Sequence, residues 1–182
     1  MVYDKEKLLE VSKKNEQAEL ECLRRLINIP TCCDKKHDMQ PFADQLKSEF
    51  EQRGYKVQVF PTEGSRVVVA DLNLGKKKTL LFYNHYDVQP EDPVNEWTSP
   101  PYEMAIRDGR AYGRGAIDDK GPLVANIFGV QAAFEAGYEP ESNIRFIADG
   151  EEEIGSIHLR KFCEEHVGLL KADGCIWEAA LA

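Results

Sequence analysis

The chain has 182 residues, of which 42% are hydrophobic and 30% are charged, with a formal net charge of −9. This length and balance are typical of one folded domain with a sizeable core. The acidic excess argues against nucleic acid as a partner, because phosphate binding needs clustered lysine and arginine. No apolar run approaches the roughly 20 residues that cross a bilayer. The charged N-terminus also lacks the apolar segment of a secretory signal. The sequence therefore predicts a cytoplasmic protein that binds neither nucleic acid nor a membrane.

The five cysteines are scattered and odd in number, which favours reduced thiols over a disulfide framework. Cys32 and Cys33 lie close to His37 and raise the question of a soft-metal site. Adjacent cysteines chelate one tetrahedral ion poorly, however, and no second cysteine pair follows. We therefore expect buried or surface thiols here and no metal.

Helical spacing dominates the first third of the chain, and strand patterns follow it. A helix is predicted from about residue 5 to 29, closed by Pro30, and a second from about 40 to 53, stopped by Gly54. The period then changes, and strands are predicted at 55–60, 67–70 and 79–83. The last of these is apolar throughout, as in a central strand covered on both faces.

The remaining elements alternate in type. A long loop at 88–102, a hairpin turn at Asp108-Gly109, helices at 122–136 and 156–168, and strands at 143–148 and 175–177 are predicted. This order predicts an α/β fold with a mixed, mainly parallel sheet and helices on both faces. No internal repeat or linker divides the chain.

Four polar clusters carry the chemistry. His85 and Asp87 follow the apolar strand two residues apart, so the carboxylate can hold one ring nitrogen and leave the other for a metal. Asp118 and Asp119 lie in a glycine-rich run that lacks the spacing of a dinucleotide or Walker loop. Three consecutive glutamates, 151–153, follow another apolar strand, and Glu178 follows the last one.

Each cluster is expected at the C-terminal end of a strand, where ligand sites collect in open α/β sheets. Each also has a plainer interpretation, since an acidic run is usually a solvated surface or a helix start. Their combination favours a site for hard or borderline cations, because histidine, aspartate and glutamate are ligands for such ions.

Three segments resemble the signatures of the M20 metallopeptidases. They are His-Tyr-Asp-Val-Gln-Pro at 85–90, Tyr-Gly-Arg-Gly-Ala-Ile-Asp-Asp-Lys-Gly-Pro at 112–122, and Glu-Glu-Ile-Gly-Ser at 152–156. The resemblance covers essentially the whole chain in order. It implies a zinc exopeptidase-like catalytic domain that hydrolyses an amide bond in a dipeptide or a C-terminal amino-acid substrate.

The resemblance also implies a role for each matching residue. His85 would bind one zinc ion with Asp87 holding its ring, Asp118 would bridge two zinc ions, and Glu153 and Glu178 would each bind one of them. Glu152 would be the general base, a choice over Glu151 that rests on the alignment of the motif. The peptide bond after Asp118 is expected to be cis. Manganese or cobalt could replace zinc in such a carboxylate-rich site.

The same resemblance implies that residues 1–182 are the N-terminal portion of the catalytic domain. The lid and dimerisation domain, the C-terminal portion and a last histidine ligand would lie outside the chain, since His37, His158 and His166 do not occupy that ligand's motif. We therefore expect the complete protein to be a homodimer through the absent domain. The 182-residue chain alone is expected to be inactive or self-associating.

Two alternatives stay open at this point. An N-acyl-amino-acid deacylase of the same family would share the site and differ in a pocket outside the chain. A non-catalytic metal-binding α/β protein is a different class, disfavoured because the expected early ligands and the base are all present.

Overall fold

Strands form the framework of the molecule, which a computed structural model describes over residues 4–177. The strands are β1 (Lys56–Phe60), β2 (Val67–Leu72), β3 (Lys78–His85), β4 (Ala105–Arg107), β5 (Arg110–Tyr112), β6 (Ser142–Asp149) and β7 (Gly174–Trp177). The helices are α1 (Lys5–Ile27), α2 (Gln40–Glu51), α3 (Lys120–Glu135), α4 (Leu159–Glu165) and α5 (Val167–Leu170). Short 3-10 turns occupy Val94–Glu96 and Glu152–Ile154.

The main sheet has the strand order β1-β2-β6-β3-β7. β3 runs parallel to both β6 and β7, whereas β2 runs antiparallel to β1 and β6. In the parallel register His85 lies opposite Asp149, so the residues that follow β3 and β6 emerge side by side. This pairing brings the polar cluster that follows β3 and the one that follows β6 to the same end of the sheet.

Alternation along β2 divides the core between the two faces of the sheet. Val68 and Ala70 belong to the larger core, which α1, α2 and α3 cover. Val67 and Val69 face the other way, into a smaller core with Phe162 of α4. The predicted mixed α/β fold with helices on both faces is confirmed. Among residues 4–177, no helix is long and apolar enough to cross a membrane.

The helix predicted at 156–168 is wrong in both its start and its continuity. Gly155 and Ser156 have positive φ angles of 90° and 49°, so the chain is still turning there and α4 begins three residues later. His166 then interrupts the helix with φ −123° and ψ 29°. Its ring stacks on Phe162 and its Nδ1 lies 2.9 Å from the Phe162 carbonyl oxygen. Side-chain packing therefore overrides the helical pattern and leaves α5 as a separate turn.

The predicted hairpin turn is present. β4 and β5 pair antiparallel around Asp108 and Gly109, whose φ angles are 49° and 72°. Two successive left-handed residues suit the turn of a two-residue hairpin. The hairpin lies outside the main sheet, so the segment that leads from β5 to Asp118 does not begin at a strand of that sheet.

A buried hydroxyl gives a test of the core. Tyr55 packs its ring against Phe50 and Phe146, but its hydroxyl has no hydrogen-bond partner in the part of the chain that the structure describes. Replacing Tyr55 by Phe should raise the free energy of unfolding by about 1 kcal/mol, because an unpaired buried polar group is removed. Urea denaturation measures the change.

Tyr86 is the matched control. Its hydroxyl donates a hydrogen bond of 2.7 Å to the Arg66 carbonyl oxygen, so Tyr86→Phe should lower the free energy of unfolding by about 1 kcal/mol. Equal losses for both variants would contradict the assignment of an unpaired hydroxyl at Tyr55.

Candidate active site

His85 ends β3, an internal strand of the main sheet, with its side chain almost wholly buried. Its Nδ1 lies 3.1 Å from the Asp87 carbonyl oxygen and 3.3 Å from Asp87 Oδ1. Both neighbours are acceptors, so the tautomer with its proton on Nδ1 suits this contact and leaves the Nε2 lone pair for a metal ion. The contact fixes the ring and directs Nε2 towards the acidic residues of the site, as the two-residue spacing predicted.

Asp118 lies beside that ring, with Oδ1 2.9 Å from His85 Nε2. The Asp118–Asp119 peptide bond is cis, as the resemblance implied. The expectation that Asp118 follows a strand of the main sheet is wrong, because β5 belongs to the separate hairpin and Asp118 precedes α3. Its position comes from Asp119, whose buried Oδ2 accepts hydrogen bonds from Asn84 Nδ2 at 2.7 Å and from the His85 backbone N–H at 3.0 Å.

Glu152 and Glu153 occupy the 3-10 turn after β6. Their backbone N–H groups each donate a 3.0 Å hydrogen bond to the Asp87 carboxylate, one to each oxygen. Gln89 Nε2 donates to Glu153 Oε2 at 2.6 Å. Glu152 Oε2 lies 3.9 Å from His85 Nε2, and its side chain is 36% exposed. The turn thus places both glutamates near the His85 ring, with the Glu152 side chain partly exposed to solvent.

Three candidate ligands converge. One donor atom each from His85, Asp118 and Glu153 lie within 4.8 Å of one another. A neutral imidazole nitrogen and two carboxylates suit zinc, and also other divalent ions that accept nitrogen and oxygen donors. Glu178 lies outside the described residues, and so nothing places it relative to these three.

The electrostatics of the site favour a cation. Burial raises the pKa of Glu153, and the nearby charge of Asp118 adds to that rise. Burial also raises the pKa of Asp119 to about 6. Lys120, although adjacent in sequence, turns its ammonium away and donates to the carbonyl oxygens of Leu26 and Ile29. Burial lowers the pKa of Lys120 to about 7.

Several residues of the site were not anticipated. Asn84 and Asp119 hold Asp118 in place, and Gln89 orients Glu153. The one available signal was Asn84, a polar residue inside an otherwise apolar run that is fully buried in the structure. Glu151 is also distinct from its neighbours, because its buried carboxylate accepts N–H groups of Ser65 and His158.

Comparison with known proteins agrees with this geometry. Residues 81–181 match the model of peptidase family M20/M25/M40. The chain is also 33% identical over 166 residues to the Cys-Gly metallodipeptidase dug1 of Schizosaccharomyces pombe, an alignment that covers 83% of this chain and 35% of that protein. The chain belongs to the M20/M25/M40 peptidase family.

Two further family relatives extend the comparison. Human Beta-Ala-His dipeptidase is 42% identical over 100 residues, which cover 54% of this chain and 20% of that protein. The solved M20 family metallo-carboxypeptidase Sso-CP2 of Sulfolobus solfataricus superposes with a TM-score of 0.84 and 39% identity, covering 89% of this chain and 37% of the other. The aligned part of this chain covers between 20% and 37% of the length of each of these proteins.

The Asp87 carboxylate gives a test of the site's framework. In Asp87→Asn the side-chain nitrogen must face a backbone N–H of Glu152 or Glu153, so one charge-assisted hydrogen bond is lost. We expect the free energy of unfolding to fall by about 2 kcal/mol, as measured by urea denaturation. Glu164→Gln, which removes an acid paired with Arg160 on the exposed face of α4, should change it little. A similar small change in both variants would contradict the framework role of Asp87.

Proposed function

We propose that this chain supplies the metal-binding and general-base residues of a metallopeptidase that hydrolyses the amide bond of a dipeptide or a C-terminal amino-acid substrate. The observation that carries the proposal is the convergence of His85, Asp118 and Glu153, with Glu152 beside them. Membership of the peptidase family and the names of its dipeptidase and carboxypeptidase relatives support it.

His85, Asp118 and Glu153 would hold a divalent ion, most simply zinc. Asp118 would bridge to a second ion, and Glu178, which follows β7 in the sequence, would bind that second ion. When bound, such ions lower the pKa of water and polarise a carbonyl oxygen. Manganese or cobalt would fit the same oxygen-rich donors.

Glu152 would act as the general base. Its carboxylate is partly exposed beside His85, while the backbone of its turn is held by the Asp87 carboxylate. In this position it would remove a proton from the attacking water and return one to the leaving amine. Asp87 would keep the His85 ring oriented and fix the turn at the same time.

We also propose that the 182-residue chain alone turns over little or no substrate. The described residues gather three ligands, fewer than a two-ion site requires. The further histidine, the lid and the homodimer implied by the family resemblance are predictions for the whole protein.

Metal binding is the first test. Metal-free chain titrated with zinc in a calorimeter should bind an ion, and Asp118→Ala should abolish that binding because the shared carboxylate is lost. Asp44→Ala removes an exposed acid on α2 and is the control that should leave binding unchanged. Zinc binding that is unaffected by the Asp118 substitution would place the metal elsewhere and overturn the proposal.

Hydrolysis tests the role of Glu152 in the whole protein. Glu152→Gln should keep the zinc stoichiometry and lower kcat by about 10²- to 10⁴-fold, the usual contribution of a general base. Hydrolysis of a glycine-terminated dipeptide is measured beside that of N-acetylornithine. Preference for the latter would identify a deacylase instead of a peptidase, and full activity of the variant would exclude Glu152 as the base.

A further inference from the structure

Glu151, the residue before the proposed base, has a buried carboxylate that contacts Ser65 and His158. Three hydrogen-bond donors surround it. Ser65 N–H donates to Oε1 at 2.9 Å, His158 N–H donates to Oε2 at 3.1 Å, and His158 Nδ1 lies 2.9 Å from Oε2. The carboxylate therefore links the loop between β1 and β2 to His158, the residue that precedes α4.

The backbone of Glu151 closes the turn that carries the site. Its carbonyl oxygen accepts hydrogen bonds from Ile154 N–H at 3.2 Å and from Ser156 N–H at 2.7 Å. The two residues enclosed at the start of this turn, Glu152 and Glu153, donate their own N–H groups to Asp87. The turn is thus held between two buried carboxylates, Asp87 on the side of the site and Glu151 on the far side.

Gly64 packs directly against the Glu151 carboxylate. A Cβ atom at this position would lie 1.7 Å from Glu151 Oε1 and 2.5 Å from His158 Nδ1. Its backbone is not in the left-handed region, so a side chain here would disturb the site by displacing the Glu151 carboxylate and not by straining φ.

We propose that Glu151 is a positioning residue, which sets the direction in which Glu152 and Glu153 project from the turn. The inference rests on the proposed function, since it assigns these two residues to the base and the metal site. Each Glu151 oxygen accepts a different backbone N–H group, and a carboxamide offers one oxygen where two are used. Glu151→Gln must therefore release the N–H group of either Ser65 or His158, and so weaken the contact of the turn with either the β1–β2 loop or the residue before α4.

The experiment compares two variants and a control with the wild-type chain. Glu151→Gln removes the second acceptor, and Gly64→Ala keeps the carboxylate but forces it to move. The control is Glu164→Gln, which removes an exposed acid that pairs with Arg160 on α4. Cobalt(II) affinity is read from visible absorption, and hydrogen exchange is measured on peptides that cover 150–158 and, separately, 78–85.

Cobalt(II) affinity should fall about 10- to 100-fold in both test variants, as is usual when a group that orients metal ligands is lost. Exchange should become faster at 150–158 and stay unchanged at 78–85. The control variant should have the cobalt(II) affinity and the exchange rates of the wild type. Two outcomes would overturn the inference: affinity within twofold of wild type in both variants, or exchange that rises equally in both peptides.

The two proposals fail in different ways. If Asp118→Ala binds cobalt(II) with the same affinity as the wild type, the proposed function fails. Hydrogen exchange at 150–158 in metal-free protein still decides whether Glu151 holds the turn. If Glu151→Gln does not fold, Gly64→Ala alone carries both measurements.

Discussion

The Asp87 carboxylate is the group on which the site depends. It is fully buried, and it accepts one N–H group on each oxygen from the turn after β6 while also lying against the His85 ring. Hydrogen bonds to a charged acceptor are among the stronger ones in proteins, at about 1.5–3 kcal/mol each. One side chain therefore couples the end of β3 to the end of β6. The parallel register that sets His85 opposite Asp149 makes this possible, because it brings the two strand ends within reach of one carboxylate.

Negative charge is concentrated around this carboxylate, in the side chains of Asp118, Glu152 and Glu153. Lys120 follows the two aspartates directly, yet its ammonium donates to carbonyl oxygens near the end of α1. Burial and mutual repulsion raise the pKa of Glu153. These properties favour a cation at the site, because its carboxylates already lie close together and Glu153 is partly desolvated. The framework therefore favours ion binding before any ligand distance is considered.

Sequence reasoning succeeded where a pattern is local. The apolar run before His85 predicted β3, an internal strand of the sheet, and the spacing of His85 and Asp87 predicted their contact. It failed where packing decides the outcome. His166 stacks on Phe162 and divides a helix that the residue pattern treats as continuous. Nothing in the spacing of the acidic residues indicated that Asp119, through Asn84 and His85, would position Asp118. The family resemblance supplied the residue roles, and local periodicity could not have done so.

The anchoring of Asp118 also bears on how such a protein can change. More than thirty residues separate His85 from Asp118, and they include a loop, a 3-10 turn and a hairpin outside the main sheet. The position of Asp118 does not depend on the length of this connection, because Asp119 bonds directly to the end of β3. Insertions or deletions near the hairpin tip should therefore be tolerated as surface variation is. By contrast, one added residue between Asp149 and Glu152 would shift the proposed base relative to the ring it faces. A change of length is therefore absorbed in the segment between β3 and α3 and not in the turn after β6.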